Sequence, residues 1–145
     1  MVGLNKNIKK AVASLIKSLS ERNRDVILRR FGLKNGRPET LESIGKSYGI
    51  TRERVRQIEE YALKNLRSGG LEQSAFLTKP YFDFAAELLS AHGGFNPEEK
   101  LFKQFSGQAG GNNIDNLSLS FLLSLHPSFN KSSENDDIRA FWFLD

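Results

Sequence analysis

Arg52, Glu53, Arg56, Gln57 and Glu60 fall at positions i, i+1, i+4, i+5 and i+8, a spacing that places all five on one face of a helix. Arginine can pair bidentately with guanine, glutamine with adenine, and glutamate can accept from the cytosine amino group. The chemistry such a face offers is recognition of base edges in a major groove. Val55, Ile58 and Ala62 form an apolar stripe on the opposite side, so one face packs while the other stays free to read. Arg54 and the helix start behind Thr40 suit phosphate oxygens, contacts that fix register without reading sequence.

Those side chains need a short helix, a tight turn and a second, capped helix to hold them. Thr40 caps a helix of about two turns that carries Leu41 and Ile44 and closes near Gly49, and Thr51 caps the next, which Ser68-Gly69-Gly70 stops. Upstream, Ile8, Val12, Leu15, Ile16 and Leu19 recur at helical spacing from Asn5 to Leu19, with lysines on the other face. Ser20 caps a second helix through Val26, Ile27 and Phe31, ended by Gly32, with Lys34 to Pro38 as a turn. Four helices precede residue 70.

Charge separates the chain in the same way. Residues 1–72 hold 16 Lys or Arg against 8 Asp or Glu, whereas residues 73–145 hold 5 against 9. The basic half is an electrostatic footprint for a polyanion, although charge alone does not choose among DNA, RNA and an acidic protein. The absence of cysteine removes disulfides, zinc-thiolate sites and thiol nucleophiles, and fits a reducing cytoplasm. No apolar run approaches the roughly 20 residues of a membrane span, and no signal-peptide core is present.

The string Leu19-Ser20-Glu21-Arg22, Val26-Ile27, Arg30-Phe31-Gly32-Leu33, Thr40-Leu41-Glu42-Ser43-Ile44-Gly45 and Thr51-Arg52-Glu53-Arg54-Val55-Arg56-Gln57-Ile58-Glu59 resembles region 4 of the RNA polymerase sigma-70 family over residues 18–67. The resemblance implies recognition of a minus-35 type promoter element in double-stranded DNA, with Arg52, Glu53, Arg56 and Gln57 at the base-contacting positions. Arg22, Thr40, Leu41 and Arg54 match positions that grip or support the backbone, and Thr51, the cap of the reading helix, belongs with them. It also implies a polymerase-core partner, the flap of the beta subunit, held in an apolar groove to which Ile8, Val12, Val26 and Phe31 contribute unless they are simply core. Family members carry promoter-melting parts ahead of region 4, and fewer than twenty residues precede it here. The chain is therefore expected to be an accessory regulator with a sigma-like reading head, or a fragment of something longer.

Residues 71–79 read as a linker to a second unit, 80–145. Pro80 to His92 is helical; Asn96-Pro97-Glu98-Glu99 supplies a cap and first turn for a helix through Phe105; Asp115 to Leu125 is a third helix. Ser128 to Lys131 and Ile138 to Leu144 read as a hairpin around Ser132 to Asp137. This pattern resembles a HARE-type winged helix. The fold class expected is mainly α, a four-helix helix-turn-helix domain (1–70) followed by a small winged-helix domain of three helices and a β-hairpin.

An enzyme is disfavoured. His92 and His126 sit in different elements without acidic partners, Glu134, Asp136 and Asp137 lie in a turn, and Gly107, Gly110 and Gly111 lack the lysine of a phosphate loop. No catalytic residue, metal, cofactor or small-molecule substrate is expected. Two rival readings stay open: a flap-binding competitor of sigma that does not read DNA, and the DNA-recognition part of a longer DNA-processing enzyme.

Overall fold

The computed structural model describes residues 3–132 and 140–145. A 3-10 turn, Leu4–Asn7, leads into α1 (Ile8–Ile16), followed by α2 (Glu21–Arg30), α3 (Leu41–Tyr48) and α4 (Arg52–Asn65). Each of the last three begins where a side-chain oxygen meets an otherwise unpaired first-turn N–H. Ser20 Oγ accepts from Asn23 N–H at 3.2 Å, Thr40 Oγ1 from Ser43 N–H at 3.0 Å and Thr51 Oγ1 from Arg54 N–H at 3.1 Å. Gly49 closes α3 in the left-handed region at φ 69°, which lets the chain reverse into α4 within three residues. Val26, Ile44, Val55 and Ile58 form a small core under α2, α3 and α4, flanked by Leu41 and Ile50.

The expected stop at Ser68-Gly69-Gly70 is not there. The backbone continues through a π turn, Leu66–Gly70, into the single turn α5 (Leu71–Gln73) and then α6 (Ala75–Ala91). Leu66 is fully buried, and a Cβ on Gly70 would lie 3.2 Å from Leu15 Cδ1, so this glycine permits close approach to α1 instead of ending a helix. The stretch 71–79, expected as a linker, is accordingly helical. Ser74 and Thr78 are buried within it, with the Thr78 hydroxyl donating to the Ser74 carbonyl at 3.1 Å. Pro80 lies inside α6 instead of opening it; the carbonyl its missing N–H leaves unpaired belongs to Phe76, which is 92% exposed.

Beyond α6 come β1 (Phe95–Pro97), α7 (Glu98–Ser106), α8 (Ile114–Leu125), β2 (Phe129–Lys131) and β3 (Phe141–Leu144). The sheet is antiparallel in the order β1-β3-β2, with Phe95 opposite Phe143 and Asn130 opposite the same residue. The expected hairpin thus gains a third strand. Asn96 and Pro97, expected as cap and first helical residue, belong to that strand, and Asn96 is buried. Trp142 anchors the sheet, donating Nε1–H to Glu98 Oε2 at 2.8 Å, while Lys131 Nζ meets the same carboxylate oxygen at 3.0 Å. Glu134, Asp136 and Asp137 lie outside the described residues. Helices and a small sheet in this order fit a mainly α chain with a helix-turn-helix and a winged C-terminal unit.

The two units do not have separate cores. Ile8, Leu15 and Ile16 of α1 lie in one apolar cluster with Tyr81, Leu89, Leu101, Leu119 and Trp142. Phe31, at the end of α2, packs its ring 5.0 Å from that of Phe121 on α8, and the Tyr81 hydroxyl donates to the Leu4 carbonyl at 3.0 Å. Full burial of an aliphatic side chain contributes roughly 1.5–3 kcal/mol, so α1 gains much of its stability from α6 and α8. Among the described residues, no helix is long and apolar enough to cross a membrane.

Candidate nucleic-acid interface

The first turns of α4 are aimed outward by the small core beneath them. Val55 and Ala62 are fully buried and Ile58 nearly so, while Thr51, Arg52, Glu53, Arg54, Arg56 and Gln57 are all exposed. A Cβ on Gly45 would lie 2.7 Å from the Ile50 carbonyl oxygen, so α3 and the turn before α4 approach more closely than any larger residue at position 45 allows. The amino end of α3 at Thr40 and the amino end of α4 at Thr51 are both exposed helix starts, where the macrodipole favours anions. Leu41 is half-buried against the small core, a support instead of a free contact. Arg22 is exposed in the first turn of α2.

The outward face of α4 is already engaged with itself. Arg56 lies between two carboxylates: Nη2 is 2.8 Å from Glu53 Oε1 and Nη1 is 2.6 Å from Glu60 Oε2. These bonds, Glu53's first and Glu60's second, hold the guanidinium above its ordinary pKa and hold the Glu53 carboxyl below the usual carboxylate value. Arg54 donates to Gln57 Oε1 at 3.3 Å. Arg52 has no ion pair among the described residues.

Sequence reasoning missed the residues that fix the angle between the helices. Arg29, at the end of α2, forms a bidentate pair with Glu39, both bonds 2.9 Å, and donates to Ser47 Oγ on α3 at 3.0 Å. Its guanidinium also lies 5.8 Å from the Tyr48 ring centre, and the Tyr48 hydroxyl donates to Asp25. Arg30 pairs with Glu59 of α4 at 3.1 Å and donates to the Glu39 carbonyl at 3.1 Å. The hydrogen bond from Arg29 lowers the Glu39 pKa, and the bond to Asp25 raises that of Tyr48. The signal was present: Arg29-Arg30 before the turn and Glu39 just ahead of the Thr40 cap are opposite charges across one loop. Of Ile8, Val12, Val26 and Phe31, expected in a partner groove unless core, Ile8 and Val26 are fully buried and Val12 nearly so, while Phe31 is half-buried against Phe121.

His92 and His126 each serve local structure: His92 Nδ1 bonds the Leu88 carbonyl, and His126 Nδ1 accepts from Ser128 N–H at 3.1 Å. Ser106 to Asn113, the glycine-rich loop, is held by buried Asn116, whose Nδ2 donates to the Gln108 and Gly110 carbonyls.

Residues 15–68 match the family model described as Sigma-70, region 4. A curated relative, the RNA polymerase sigma factor SigA of a Bacillus species, is 48% identical over 60 residues, a stretch amounting to 41% of this chain and 16% of that protein. The family match ends at residue 68 and does not reach the winged unit.

Proposed function

We propose, from the match of residues 15–68 to sigma-70 region 4, that this chain is a sequence-specific DNA-binding transcription protein that reads a minus-35 type promoter element. The observation that carries the reading is the division of α4 into a buried stripe and an exposed face of Arg52, Glu53, Arg56 and Gln57. In this reading those four side chains meet base edges, while Arg22, Arg54 and the helix starts at Thr40 and Thr51 hold phosphates, with Leu41 bracing α3. The charge-locked framework of Arg29, Arg30, Glu39 and Glu59 keeps the two helix starts in fixed relation, so the head docks as a rigid body. RNA polymerase core is the partner that similarity to a sigma factor suggests, and it supplies specificity that one head covering a few base pairs lacks.

The test is fluorescence anisotropy on a duplex carrying a TTGACA-like element against a scrambled duplex, across salt, with wild type and Arg56→Ala. The reading expects a preference for the element that falls roughly 10- to 100-fold in the variant, the size of one good base contact, while salt-dependent background binding persists. Equal binding to both duplexes by the wild type would overturn it.

A further inference from the structure

Lys6, Lys10 and Lys17 lie at i, i+4 and i+11 along the entry turn and α1, a single stripe with Ala13 between them, and Lys9 flanks it. All four lysines are exposed, and no carboxylate is present between Met1 and Ser20. Elsewhere Arg29, Arg30, Lys34, Lys46, Arg56, Lys79 and Lys131 have carboxylate partners, whereas Arg22 and Arg24, beside the end of α1, have no ion pair among the described residues. The α1 lysines have none among the described residues.

The stripe connects to the reading head through Arg24. Its Nη2 donates to the Lys17 and Leu19 carbonyls at 3.2 and 3.0 Å, which places the guanidinium across the end of α1. One groove of about 360 Å³ holds Lys9, Lys17 and Arg24; a second, of about 730 Å³, holds Arg24, Arg22 and Lys34. Arg24 thus lines both, and the positive track runs from Arg22 to the far end of α1. Glu21 and Asp25 also line the second groove, but Asp25 is taken up by Tyr48, Arg29 and Lys34. Asp115, at the other end, accepts from Asn5.

We propose that the Lys6–Lys10–Lys17 stripe is a second, sequence-independent phosphate-binding surface that extends the duplex footprint beyond the reading head. It rests on the DNA-binding reading above for its partner. Eleven residues at 1.5 Å rise set Lys6 and Lys17 about 17 Å apart, which spans about five base pairs at 3.4 Å each. Each phosphate neutralised contributes about 0.9 to the slope of log affinity against log salt, so three contacts contribute about 2.7.

The full chain and a Lys6→Gln/Lys10→Gln/Lys17→Gln variant, in which glutamine keeps helix propensity close to that of lysine, are titrated onto a 30-base-pair duplex and onto a duplex trimmed to the element. Matching far-UV ellipticity and urea midpoints establish that the variant is folded. The expected result is a salt slope lower by about 2–3 on the long duplex, little change on the short one, and an unaltered ratio between element and scrambled sequence. Equal slopes on the long duplex would overturn the proposal. So would equal slopes with loss of binding to a poly-glutamate peptide, which would assign the stripe to an acidic protein segment. A wild type that shows no element preference yet loses slope on lysine replacement would support the stripe while sinking base reading; the two ideas therefore fail separately.

Discussion

Phe121→Ala tests whether the two units share one core. Phe121 is 1% exposed on α8, and its ring lies 5.0 Å from that of Phe31 at the end of α2. Phe→Ala in a core costs about 3–5 kcal/mol, of which the aromatic pair accounts for about 1 kcal/mol. An unfolding entropy of about 2.1 cal/mol/K per residue gives roughly 0.3 kcal/mol/K for a chain of this size, so a loss of about 4 kcal/mol lowers the melting temperature by about 13 °C. The assay is urea and thermal unfolding read by two probes. Far-UV ellipticity weights the helices of both units; fluorescence of Trp142, the one tryptophan, reports the sheet. With one core the wild-type transitions coincide and the variant shifts both together. A variant in which the Trp142 transition moves while about half of the helical signal melts as in wild type would refute the reasoning, because the head would then be stable alone.

Thr51→Ala removes the oxygen that accepts from Arg54 N–H and is expected to cost about 1 kcal/mol, seen as a drop of about 3 °C in melting temperature, with a larger fractional loss of DNA affinity because the frayed turn carries Arg52. His126 gives a pH signature. Burial lowers its pKa below the usual value near 6.5, and its Nδ1 accepts a bond from Ser128 that protonation would break. The unfolded chain therefore binds that proton first, so stability is intact above pH 6.5 and declines as pH falls toward the folded-state value. Urea midpoints from pH 7.5 to 5.5 should fall for wild type and fall less for His126→Gln; parallel profiles would remove His126 as the cause.

Local signals were legible where one residue type does one job. Ser20, Thr40 and Thr51 have the residue types and positions of caps and each accepts the expected bond; Val55, Ile58 and Ala62 have the spacing of a packed stripe and are buried. The same local logic failed where tertiary contact reverses a residue's ordinary meaning. Gly69-Gly70 looks like a helix end, but packing against Leu15 makes the glycine a close-approach site. Ser74 and Thr78 look like linker polarity, but each has a hydrogen-bond partner inside. β1 is three residues long and exists only because β3 accepts it, so no alternation could announce it. For the interface, residue types suggested which side chains face outward; that Arg56 is held by Glu53 and Glu60 required rotamers, and the Arg29–Glu39 and Arg30–Glu59 pairs required knowing which loops meet.

That hold on Arg56 bears on how a DNA reader would search. If α4 reads DNA, the Arg56 guanidinium would keep its two carboxylates on arbitrary duplex and add little phosphate attraction, which would be left to Arg54 and the helix starts. A guanine edge, with two acceptors spaced for the fork, would replace part of what Arg56 gives up, and other edges would replace less of it. Such a reader would dwell briefly on wrong sequence and longer on the right one. Rapid scanning and a stringent stop would then come from the same three side chains.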